Sequence, residues 1–216
     1  MDMSGRGKRT GAKKSAGRSA KKTARKAASK KAPTKASAKK ASTKPAKEKA
    51  SPWAYVFTPR APGERRYWLV KSEPDTFSFD NLLAAKDRTT HWDGVRNFAA
   101  RNFMRDGMKV GDQVLYYHSS TNPQAIVGIA EVVREAYPDQ TAFDRSHHGY
   151  DEDSDPNAPT WYMVDLRAVK PLARPVTLTE IKGRRELATM VLLRIGRLSV
   201  TPVTADEWRV ITEMGG

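Results

Sequence analysis

Three short polar runs carry residue types suited to recognising a flat, hydrogen-bonding molecule: Lys71 to Pro74 (KSEP), His91 to Asn97 (HWDGVRN) and Tyr116 to Ser120 (YYHSS). A pocket for an unpaired or extruded base needs a flat apolar wall and a few groups that reach the base edge. Trp92, Tyr116 and Tyr117 are candidates for the wall. Asn97 offers a donor and an acceptor on one amide, Glu73 can accept from an exocyclic amine, and Ser72 and Ser119 can do either. Gly94 lets backbone come close, with Val95 and Arg96 beside it, and His118 and Ser120 complete the third run.

Each residue also has a plainer reading. Trp92 can be a core or lid residue, Arg96 can brace its loop through a carboxylate such as Glu73, and Asn97 can cap the helix that follows. Ser72 can satisfy backbone at a strand end, and His118 can be a satisfied polar side chain there. Tyr116 and Tyr117 point to opposite faces of a strand, so at least one is expected in the core. Lys71 and Glu73 share a strand face, and a lysine beside a carboxylate can also do acid/base work. A further run, Phe143 to Pro159, sets His147 and His148 beside Asp144, Asp151, Glu152, Asp153 and Asp155. Adjacent histidines rarely chelate one ion from a rigid element, so this run is read as an acidic surface loop and no metal is expected.

The elements that must position these runs follow from local patterning. Tyr67 to Lys71 (YWLVK) is aromatic and branched, hence a strand, ended by Pro74; Ser78 then caps a short helix through Ala85. Asn97 to Arg105 has helical spacing with Phe98 and Phe103 inward, closed by Gly107. Gln113 to Ser119 is a strand with Val114, Tyr116 and His118 on one face and Leu115, Tyr117 and Ser119 on the other. Ala125 to Tyr137 and Trp161 to Val169 read as long apolar strands central to a sheet. Thr177 with Glu180 and Thr204 with Glu207 are capping boxes that open two C-terminal helices. Strands interrupted by short helices, without a βαβ rhythm, define an α+β domain around a small barrel. There is no Walker loop and no GxGxxG, and no cofactor is expected.

Charge divides the 216 residues sharply. Residues 1–51 hold 18 Lys and Arg against Asp2 and Glu48, and contain no Val, Leu, Ile, Phe, Tyr or Trp. The remainder is nearly neutral, with 21 basic and 22 acidic residues. A tail so poor in apolar surface cannot offset its ordering entropy, so residues 1–51 are expected to be disordered when free. Lysine pairs recur at Lys13 and Lys14, Lys21 and Lys22, Lys30 and Lys31, and Lys39 and Lys40. They suit phosphate binding by counterion release, which is strong at low salt and indifferent to sequence. Residues 52–66, with Pro52, Pro59, Pro62 and Gly63, read as a linker whose aromatics Trp53, Tyr55 and Phe57 can dock on the domain at 67–214. The absence of cysteine excludes disulfides and thiol chemistry. The longest aliphatic stretch, Ala125 to Ala130, is far short of a membrane span. The expectation is an intracellular protein: nucleoid or cytoplasm in a bacterium, nucleus in a eukaryote. Its oligomeric state is left open, with a monomer favoured.

KSEP, WDGVRN followed by ARNF (Ala100 to Phe103), VGD with YYHS, GIAEVVREAYPD (Gly128 to Asp139), WYMVD (Trp161 to Asp165) and RLSVTPV (Arg197 to Val203) together resemble the EVE domain family of the PUA-like superfamily. The resemblance spans Tyr67 to Met214, in order. The tail, outside it, resembles the Lys/Ala-rich tails of linker histones and bacterial histone-like proteins. What the family resemblance implies is a PUA-like β-barrel with peripheral helices and a pocket for a modified base, with modified cytosines in DNA, 5-methyl- or 5-hydroxymethylcytosine, as ligands. DNA is then favoured over RNA as partner. The implied pocket is Ser72, Glu73, Trp92, Gly94, Val95, Arg96, Asn97, His118, Ser119 and Ser120, with Lys71, Tyr116, Tyr117, Arg197, Leu198 and Ser199 as a rim. Two alternatives stand beside it: an enzyme on modified nucleosides like the related ASCH amidohydrolases, using Lys71, Ser72 and Glu73, and a structural histone-like DNA-binding protein.

Overall fold

The computed structural model describes residues 53–216. The tail expected at 1–51, with its lysine pairs at Lys13, Lys14, Lys21, Lys22, Lys30, Lys31, Lys39 and Lys40, lies outside the described residues. Strand β1 (Tyr67–Ser72) is followed by helices α1 (Pro74–Phe77) and α2 (Phe79–Ala84), strand β2 (Thr89–Trp92) and helix α3 (Phe98–Asn102), which runs on as a π turn through Gly107. Strands β3 (Gln113–His118), β4 (Ala125–Pro138) and β5 (Tyr162–Thr177) come next, then helices α4 (Leu178–Gly183) and α5 (Val191–Arg194), strand β6 (Val200–Val203) and helix α6 (Ala205–Gly215).

One six-stranded sheet runs in the order β2-β5-β4-β3-β1-β6. Only β1 and β3 pair in parallel, in a register that sets Lys71 against Tyr117 and Ser72 against His118. The C-terminal ends of two distant strands therefore meet. Both faces of the sheet are covered, which explains the uninterrupted apolar runs in β1 and β3. Trp68, Val70, Val114, Tyr116, Val164 and Leu166 pack with Phe103 and Met104 on one face. Leu69, Leu115, Tyr117, Ile126 and Ile129 pack with Ile181, Leu187 and Ile211 on the other. The alternation Trp68, Leu69, Val70 thus splits one strand between two cores.

The sheet curls. In a flat sheet three strand spacings, about 14 Å, would separate β2 from β3, yet the Trp92 and Tyr116 rings meet edge to face with centroids 5.6 Å apart. Register shifts at four places along β4 and β5 supply the bends. This is the barrel-like curvature of the expected α+β fold. Gly128 lies where α2 presses against the curled sheet, and a Cβ there would sit 2.3 Å from the Phe79 ring.

Local signals held at the helix starts. Thr177 with Glu180 and Thr204 with Glu207 form reciprocal capping boxes, and Ser78 forms a third with Asn81. One expectation needs revision. Phe98 does not face inward but is 61% exposed, because the cap at Asn97 starts the helix with Phe98 turned away from Phe103 and the core. The linker aromatics dock on the domain: Val56 is buried, and the Trp53 and Phe57 rings contact Phe103. Arg60 reaches the buried Asp112 carboxylate at 2.5 Å, and Asp112 also accepts from Arg66 N, Trp68 Nε1 and Lys109 N. One carboxylate ties this segment to the start of β3.

Candidate nucleic-acid interface

Two of the three polar runs converge where β1 and β3 end. Ser119 donates through its amide (2.8 Å) and its hydroxyl (3.2 Å) to Ser72 O. Ser72 Oγ donates to Phe77 O at 2.6 Å, and the Tyr116 hydroxyl donates to the same carbonyl at 2.9 Å. Ser120, held at φ 54°, donates through Oγ to Glu73 Oε1 at 2.8 Å. Both of these residues are exposed, so a carboxylate and a hydroxyl stand open to solvent at the strand ends.

His118 has a structural partner. Its Nε2 accepts from Phe79 N, in the first turn of α2, at 3.0 Å. Burial lowers its pKa, with Asp80 opposing. The neutral ring that carries its proton on Nδ1 is the form this contact needs. Lys71 lies at the side of the same end: Nζ donates to Gly196 O and its amide to Ser199 O, each at 2.8 Å. Burial lowers the Lys71 pKa. The expected rim therefore meets β1, with Arg197 exposed and Ser199 half-buried, but Leu198 is 3% exposed and belongs to the core. Tyr116 and Tyr117 are also both core, and burial pushes each hydroxyl up to about 12. Lys71 and Glu73 face different partners and form no ion pair with each other among the described residues.

The third run is held differently. Trp92 is 8% exposed and seals the core against Tyr116, and Val95 is buried beside it. Arg96 does not pair with Glu73. Its guanidinium reaches Asp139 Oδ2 (2.6 Å), Gly149 O (2.6 Å) and Thr141 Oγ1 (3.0 Å), so it braces the loop before α3 against the β4–β5 connection. Distance in the chain hid this partner, since a carboxylate just after Pro138 reads only as a turn residue. Asp139 is fully buried and also accepts from Gly94 N, Thr141 N and Thr141 Oγ1. Burial pushes its carboxyl up, but the Thr141 and Arg96 hydrogen bonds outweigh that and hold it below the usual value.

Gly94 sits at φ 68°, with His148 and His147 against it. The neighbouring Asp93 carboxyl is pushed up by desolvation and by Asp139, against the pull of His147, His91 and His148. Asn97 accepts through Oδ1 from Ala99 N and Ala100 N, the capping role, while remaining exposed. Beyond it the exposed Phe98 ring stacks on Trp161 at 5.0 Å, with Arg101 4.9 Å from its centroid. Sequence patterning missed this stack and missed the group formed by His91, Tyr137 and Asp165, in which the Tyr137 hydroxyl donates to Asp165 Oδ1 at 2.5 Å. Glu152, Asp153 and Asp155 are exposed, as expected of an acidic surface loop.

A curled mixed sheet flanked by short helices, with polar strand ends beside an aromatic-lined core, defines a PUA-like α+β domain. The chain belongs to the EVE domain family, whose model matches residues 66–214. It is similar to thymocyte nuclear protein 1 of Homo sapiens, 38% identical over 165 residues that cover 68% of this chain and 73% of the relative. Among solved structures it is similar to a hypothetical protein from Leishmania major (48% identity, TM-score 0.67, covering 70% of this chain and 95% of the other). It is likewise similar to human thymocyte nuclear protein 1 in complex with DNA containing 5-methylcytosine (37% identity, TM-score 0.68, covering 69% of this chain and 97% of the other). No helix among the described residues is long and apolar enough to cross a membrane.

Proposed function

We propose that this protein reads a modified cytosine in DNA through its EVE domain, while residues 1–51 bind phosphate without regard to sequence. The observation that carries this reading is the relative of 37% identity solved with DNA containing 5-methylcytosine, nearly all of which aligns with this domain. The strand ends supply suitable chemistry. The Glu73 carboxylate can accept from a cytosine amine, with the Ser120 hydroxyl on Glu73 and the Ser119 hydroxyl on Ser72 beside it. The domain is nearly neutral, so general affinity falls to the +16 segment.

The test compares the full chain with residues 53–216 on oligonucleotides that differ in one 5-methylcytosine. Engaging about six tail charges costs about three decades of affinity between 50 and 200 mM salt. Deleting the tail should flatten that slope and leave the preference for the modified base intact. Glu73→Gln in the full chain should do the reverse. If the preference disappears with the tail, or survives Glu73→Gln together with Ser120→Ala, the pocket lies elsewhere.

A further inference from the structure

A cleft of about 300 Å³, at the lower end of the range for small-molecule sites, is lined by none of the residues proposed above to read a base. Trp53 and Tyr55, from the docked segment before β1, form one wall, and Val191 and Ile195 form an apolar side. Trp53 is fixed by its edge contact with Phe103. Two charged groups complete the lining. Glu207, in the first turn of α6, is only 5% exposed; its Oε2 accepts from Thr204 N at 2.9 Å, while Oε1 accepts from no donor among the described residues. Its charge contributes, after burial, to pushing the Tyr55 hydroxyl up to about 12. Arg194 is exposed at the mouth and has no ion pair among the described residues.

The Glu207 oxygen that takes no protein donor still touches solvent, so it is an acceptor open to the cleft for a ligand's N–H. Aromatic walls select a flat ring, and a free guanidinium selects an anionic group. A ring bearing an amine at one end and a phosphate at the other meets all of these at once. An organic cation would satisfy Glu207 and the aromatic walls but oppose Arg194. Thymine or uracil would present a carbonyl to Glu207 in place of the amine. The Ile195 side of the cleft leads along the chain to Gly196, whose carbonyl holds Lys71 Nζ, while Glu207 follows Val203, which pairs with Tyr67 at the other end of β1 from Ser72.

We propose that this cleft is a second nucleotide site, which takes an amino-bearing base with its amine on Glu207 and its phosphate on Arg194. In bound DNA the occupant is a nucleotide flanking the base that is read, a placement that rests on the function proposed above. Free nucleotides share the same chemistry.

The test uses the full chain, with single-stranded oligonucleotides carrying cytosine or thymine at each position around a fixed central base, and with free cytidine and uridine monophosphates. Cytosine should be favoured over thymine at one flanking position by about 5- to 150-fold. Glu207→Gln keeps the helix cap, since Gln also serves in a capping box. It should remove or invert that preference while the melting temperature and the preference at the read position stay unchanged. Arg194→Gln should lower the salt slope by about one. Glu207-dependent binding of cytidine monophosphate without any flanking preference would overturn the place beside the read base and assign the cleft to free nucleotides. Unchanged discrimination in Glu207→Gln would overturn the proposal altogether, as would displacement of nucleotide by a trimethyl-lysine peptide. Because the flanking preference is scored on unmodified strands, it stands or falls apart from modified-base reading.

Discussion

Replacing Asp139 by alanine should be among the most damaging single changes to the loop that carries Trp92 to Asn97. The carboxylate is fully buried and accepts four hydrogen bonds, from Gly94 N, Arg96 Nη1, Thr141 N and Thr141 Oγ1. Its loss strands two backbone amides and removes the counter-ion of an Arg96 side chain only 21% exposed. Breaking such a pair from one side costs about 3–5 kcal/mol. Arg96 keeps Gly149 O and Thr141 Oγ1, which places the expected loss near 3 kcal/mol. For a domain of this size that is a fall of roughly 10 °C in melting temperature. Urea unfolding followed by circular dichroism measures it, and a cycle with Arg96→Ala isolates the pair, with a coupling of about 1–3 kcal/mol expected. The pH dependence supplies a second arm. A carboxyl held below its unfolded value stabilises the fold above about pH 4 and loses that contribution as pH falls through its folded value. The gap between the parent and Asp139→Asn should therefore close in acid. A loss below about 1 kcal/mol for Asp139→Ala, with no coupling to Arg96, would refute the bracing role.

Gly128→Ala should destabilise by about 1–3 kcal/mol, because its Cβ would overlap the Phe79 ring carried by α2; calorimetry of the variant checks this, and Phe79→Leu should relieve part of it. His118 has a folded pKa lowered by burial, so its neutral form favours the fold. Its contribution is complete above about pH 6.5 and declines as pH falls below that value. His118→Gln should lack this component, and parallel stability curves for the two proteins between pH 7 and 5 would contradict burial of the ring as its origin.

Much of this architecture is legible in the sequence, because helix caps, branched strands and alternating faces are local. Three helices begin where a Ser or Thr faces a residue three positions on, and the split of Tyr116 and Tyr117 between faces is simple strand geometry. What escaped depends on closure across the fold. The burial of Trp92 follows from curl of the sheet, and the partner of Arg96 sits 43 residues away. The family resemblance implies a rim at Arg197 to Ser199 as a run, yet the apolar Leu198 within it turns into the core. Helical period alone does not say which face a five-residue helix buries, and here Phe98 lies on the exposed one.

The parallel pairing of β1 with β3 has a consequence for the order of assembly. Ser72 and Ser119 are 47 residues apart, and no hairpin can bring them together. The chain must first close a long loop around α1 to α3, a contact of high sequence separation that two-state chains reach slowly. During synthesis the strand ends cannot exist until residue 120 has emerged and β3 has found β1. Binding of a base at these ends, as proposed, therefore requires the β1–β3 pairing, and a fragment that stops short of β3 should not bind.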